Sequence, residues 1–85
     1  MRSDAWRDER DSVPRSLKQA AELRREIVAA GFARSTAANV VMWLVSKETL
    51  GEDPEPDSGR RNTYRHVLRT VVGLRARPER YAPLA

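Results

Sequence analysis

The chain has 85 residues, 33% of them charged and 40% hydrophobic, with a formal net charge of +4. That length makes one domain near the lower end of what folds alone. The lack of cysteine and a single histidine, His66, exclude disulfides, thiolate chemistry and a His-rich metal site, and no apolar run approaches the roughly 20 residues that span a bilayer.

Residues 1–15 balance Arg2, Arg7, Arg10 and Arg15 against Asp4, Asp8, Glu9 and Asp11. They read as a charged N-terminal arm closed by Pro14. Either a short helix runs from Asp4 to Asp11 and docks Trp6 on the core, or the arm is mobile. The beginning, MRSDAWRDERD, lacks the apolar segment of a secretory signal, so the expected location is the cytoplasm.

The first long helix is expected over 16–30. Ser16 and Gln19 have capping-box spacing, in which the hydroxyl accepts from a first-turn N–H and the glutamine reaches back. Leu17, Ala20, Ala21, Leu23, Ile27, Val28 and Ala30 fall on one side. Lys18, Glu22, Arg25 and Glu26 fall on the other, with Lys18–Glu22 as an i,i+4 pair. Arg24 projects from the apolar side, so its stem can lie along the core while its head reaches a groove or a partner. Gly31 is placed as a left-handed C′ residue, with Phe32 folding back on the last turn.

The second helix, 35–50, carries the longest apolar run, Val40-Val41-Met42-Trp43-Leu44-Val45. At 100° per residue, Ala37, Val40, Val41, Leu44 and Val45 form one broad face, flanked by Trp43 and by Met42 and Ala38. A helix apolar over most of its circumference is buried by several neighbours, so it is expected to be central. Val40, Trp43 and Leu44 are expected to hold the core with Tyr64, Leu68 and Val71, and Val40, Met42 and Trp43, together with Tyr81 of the tail, are also candidate interface residues, with a homodimer as one partner. Ser35 and Thr36 are both good N-caps, and Gly51 closes the helix. The following EDPEPDSG, 52–59, reads as a solvated acidic loop.

The third helix is expected over 60–77, ended by Pro78. Tyr64, Val67, Leu68, Val71 and Leu74 form its apolar side. Gly73 within it suggests either a close backbone approach or a kink. Residues 58–85 hold seven arginines and one acid, Glu79. Arg61, Arg65 and Arg69 repeat at i,i+4, about 6 Å apart along the axis, near the phosphate spacing of a DNA strand. Such a row, with Arg77, is suited to neutralising successive phosphates. An acidic protein surface is the alternative partner, and a solvated face is the plain reading. The tail, 78–85, is expected to run extended.

No catalytic constellation stands out. The acids are expected to be solvated and to titrate normally, His66 has only Thr70 at i+4, and no Gly-rich phosphate loop or complete calcium loop is present. The chain is therefore read as non-enzymatic, without metal or cofactor.

Gly31-Phe32-Ala33-Arg34-Ser35-Thr36, followed by the second helix, resembles the turn and recognition-helix start of helix-turn-helix DNA-binding proteins over Glu26–Val45. By that resemblance Arg34, Ser35, Thr36 and Asn39 would face a major groove. The other reading of Gly31 is a C-cap joining two antiparallel helices. The helix–turn–helix order also looks like the helical part of ribbon-helix-helix proteins, although the segment before Pro14 lacks their alternating strand. Gly59–Arg65 is similar to a helix start in the arm-binding domains of tyrosine recombinases. The expected whole is an all-α domain of three helices that binds DNA, as a transcriptional regulator or accessory factor. The alternatives are a protein–protein interaction module, acting as adaptor or inhibitor, and a small structural subunit of a larger assembly.

Overall fold

The computed structural model describes residues 9–77, and they are all-helical, without strands. After a helical turn at 9–12 come α1 (Leu17–Ala29), α2 (Arg34–Leu50) and α3 (Ser58–Ala76). Trp6 and Tyr81 lie outside the described residues.

The capping box that opens α1 forms with one shift. The Ser16 hydroxyl accepts from the Gln19 N–H at 3.1 Å, while the Gln19 side-chain Oε1 accepts from the Arg15 backbone N–H, at 2.7 Å, rather than from that of Ser16. The far end is a Schellman turn. Gly31 takes φ +104°, its N–H donates to Val28 O at 3.0 Å, and the Phe32 N–H donates to Ile27 O at 3.3 Å. This turn sends Phe32 back against the core, where its ring meets His66 edge-on at 6.1 Å. Lys18 and Glu22 do not form the ion pair that their spacing allows; both side chains stay in solvent.

Neither Ser35 nor Thr36 caps α2. The helix begins one residue earlier, at Arg34, and the cap position falls on Ala33, which has no side-chain acceptor. The tight turn at Gly31 leaves only Phe32 and Ala33 before helical geometry resumes, so both hydroxyl residues are already inside the first turn. Gly51, at φ +74°, ends α2 as expected. At α3, the Asp57 carboxylate accepts from the Gly59 N–H at 2.8 Å, which starts the helix at Ser58.

The core takes Leu23 and Ile27 from α1, Ala37, Val40, Val41, Trp43 and Leu44 from α2, and Val67, Leu68 and Val71 from α3. Half of it belongs to α2, which is thus the central helix. Val40 and Trp43, read from the sequence both as core and as interface residues, are 0% and 3% exposed and belong to this core rather than to a surface. Met42 and Val45 differ from the rest of the apolar run: they are 66% and 38% exposed. The arc of α2 that carries them is left partly uncovered by the described residues. Gly73 makes no close approach, because a Cβ built there meets nothing within 4 Å.

Candidate nucleic-acid interface

Two sets of charged side chains come together on this framework. The first is built around Trp43. A buried indole needs an acceptor for its N–H, and Trp43 Nε1 donates to Asp53 Oδ1 at 2.8 Å. The same oxygen accepts from the Glu55 N–H at 3.0 Å. The loop after α2 is therefore folded down onto the helix, against the expectation of a fully solvated acidic segment. Lys47 Nζ lies 4.5 Å above the Trp43 ring, and Tyr64 packs on that ring at 5.2 Å between centroids.

Glu9 completes this set. It is buried, and its two carboxylate oxygens divide between Lys47 Nζ and Arg65 Nε, the latter at 3.2 Å. Lys47 and Arg65 also approach Asp53 Oδ2, at 3.9 and 3.8 Å. Partial burial pushes the Asp53 carboxyl up. The Glu55 N–H, the Trp43 indole and the charges of Lys47 and Arg61 outweigh that push and hold it below its ordinary value. Asp53 thus stays ionised and internally paired, which corrects, for this residue, the expectation of a solvated acid that titrates normally. Both carboxylates of the set face cations, an arrangement suited to holding structure.

This set decides the fate of the arginine row on α3. Arg65 is spent on Glu9 and Asp53. Arg61 Nη1 donates to the Glu55 carbonyl at 2.6 Å. Only Arg69 and Arg77 of the four candidates remain exposed and without a partner among the described residues. The row was expected to be unopposed because no acid lies nearby in sequence. The opposing groups arrive from Glu9, 56 residues away, and from the loop. Arg75 is likewise taken, by a two-pronged contact with Glu26 at 2.6 and 2.7 Å.

No protein-family model, curated protein or solved structure matches this chain.

The second set lies at the α1–α2 turn. Arg24, Arg25 and Arg34 border a shallow cleft whose other lining residues are Ala21, Val28 and Ala37. No acid lines it. All three arginines are exposed, and none has a hydrogen bond or ion pair among the described residues. Arg25 also borders a second depression with Glu22, Glu26 and Arg75, where Glu26 is already held by Arg75. Next to Arg34, Ser35 and Asn39 are exposed, whereas Thr36 is half-buried. His66 is exposed on α3, beside Phe32. Among the described residues no group of histidine, aspartate and glutamate side chains could hold a metal, and no helix is long and apolar enough to cross a membrane.

Arg24 was legible in part, as a long side chain rooted near the core. Arg25 was not, because it falls on the polar side of α1, where basic residues are ordinary. Asp53 had a usable signal: a central tryptophan requires an acceptor, and Asp53 follows the helix-ending Gly51 by two residues.

Proposed function

We propose that this chain is a small non-enzymatic DNA-binding protein, a transcriptional regulator or accessory factor. The observation that supports it is the division of its cations. Lys18, Arg24, Arg25, Arg34, Arg69 and Arg77 make no contact with an acid among the described residues, while Glu9, Glu26, Glu48, Asp53 and Asp57 are engaged with other cations. Exposed guanidinium groups left over after internal pairing suit a polyanion, and arginine binds phosphate through two parallel hydrogen bonds. Ser35, Thr36 and Asn39, on the first turns of α2, would supply the weaker base contacts. Fluorescence anisotropy with a random duplex, at about 50 and about 200 mM salt, tests this reading. Binding that weakens steeply with salt is the expected result. No binding at the lower salt removes it.

A second reading, a protein–protein module that docks a second copy of itself, rests on a different observation. Ser35, Ala38, Met42, Val45 and Thr49 are all exposed and follow one another in alternating steps of three and four residues. That is the spacing of a coiled-coil seam. In an antiparallel pair of α2 helices, Ala38 would oppose Val45 across the two-fold with Met42 near its centre, small against large. Sedimentation of the wild type and of Met42→Glu distinguishes the cases. A dimer lost in the variant supports the seam, and a wild-type monomer at micromolar concentration eliminates it.

A further inference from the structure

We infer that the cleft between α1 and α2, bounded by Arg24, Arg25 and Arg34, is the primary DNA-backbone site, in place of the arginine row of α3. The inference rests on the DNA-binding reading and deepens it by naming the place of contact.

The cleft is formed by the way the two helices cross. Ala21 of α1 and Ala37 of α2 line it, and Ala37 is 1% exposed. Short side chains at a crossing bring the helices close and leave a low floor. Arg24 and Arg25 rise from α1 on one side. Arg34, the first residue of α2, rises on the other, carried there by the Gly31 turn. Val28, 40% exposed, lies among them as an apolar patch. Three arginines around an apolar centre, with no acid in the lining, gain most from a ligand that brings several negative charges together. Successive phosphates of a nucleic-acid strand do this, with the deoxyribose between them available to rest on Val28.

The α3 row lacks this property. Two of its members are already engaged, Arg61 hydrogen-bonded to the Glu55 carbonyl and Arg65 paired with Glu9 and Asp53. A phosphate approaching Arg65 would have to displace carboxylates that the fold itself supplies. The same exchange is not required at Arg24, Arg25 or Arg34.

Anisotropy titrations of a labelled random duplex across a salt series, with the full chain, test the assignment. Three proteins are compared: wild type, R24Q/R25Q/R34Q and R69Q/R77Q. Thermal melting followed by circular dichroism verifies that each is folded. The cleft variant is expected to bind at least tenfold more weakly and to lose about 2.7 from the salt slope, about 0.9 for each of three phosphates. The R69Q/R77Q variant is expected to weaken binding less than the cleft variant does. Wild type that binds while the cleft variant binds equally well overturns the site but leaves the DNA reading standing. Wild type that fails to bind overturns both, and an acidic protein surface then becomes the occupant to pursue.

Discussion

The face around Trp43 and the cleft at the α1–α2 turn carry the same kinds of cation, yet they have opposite fates. Around Trp43, Lys47 and Arg65 are matched by Glu9 and Asp53, shielded, and stacked against a ring. At the cleft, Arg24, Arg25 and Arg34 are matched by nothing in the described chain. The difference teaches that a basic segment is not a basic surface. Charge available to a partner is what remains after the fold has paired its own, and much of that remainder lies on α1 and the start of α2, with only Arg69 and Arg77 left where the arginines are densest.

Trp43→Ala should break the contrast most violently. It removes a side chain that is 3% exposed and leaves Asp53 without its indole donor. A loss of about 3–5 kcal/mol is expected, enough to unfold much of a small domain at room temperature, as read by urea denaturation. Glu9→Gln comes next. It leaves the part-buried Lys47 and Arg65 with only the more distant Asp53 carboxylate and should lower stability by about 2 kcal/mol. The same measurement on R24Q/R25Q/R34Q should shift stability by less than about 0.5 kcal/mol per site, since exposed and unpaired side chains contribute little to the fold. If the Glu9 and cleft variants cost the same, the distinction between spent and available charge fails.

Acid sharpens the comparison more gently. The folded Asp53 carboxyl lies below its ordinary value of 3.8, so above that pH both the folded and unfolded chains are ionised there and its stabilisation is complete. As the pH falls below 3.8, the unfolded chain takes up the proton first, and this contribution is lost until the folded carboxyl titrates too. Acid titration of urea midpoints should show the decline in wild type. Asp53→Asn should flatten that limb while lowering stability at neutral pH.

Much of the fold was readable in advance because its signals are local. Ser16 with Gln19, Gly31 with Phe32, and Gly51 each act within one helical turn, and the apolar spacing in Ala37–Leu44 identified the central helix. The misreading of Ser35 and Thr36 as caps was also local: two caps in succession compete, and the turn before them decided for neither. The candidate site was less legible because pairing is not local. Arg65 meets Glu9 across 56 residues and Arg75 meets Glu26 across 49, so no window along α3 contains the acids that neutralise it. Exposure of Met42 and Val45 was hidden for a related reason. A helix can be apolar all round, and which arc stays bare depends on how many neighbours the rest of the chain provides.

The reach of Glu9 across most of the chain also sets an order of assembly. The α1–α2 hairpin closes over a short turn, so its contacts have little chain entropy to overcome. Glu9 can find Lys47 and Arg65 together only once α2 and α3 are already in place, so the turn at 9–12 is expected to dock after them and to lift away before they open. In native-state hydrogen exchange its amides should open well before those of Val40 or Leu44, so that brief fluctuations bare Lys47 and Arg65 while the helices beneath remain intact.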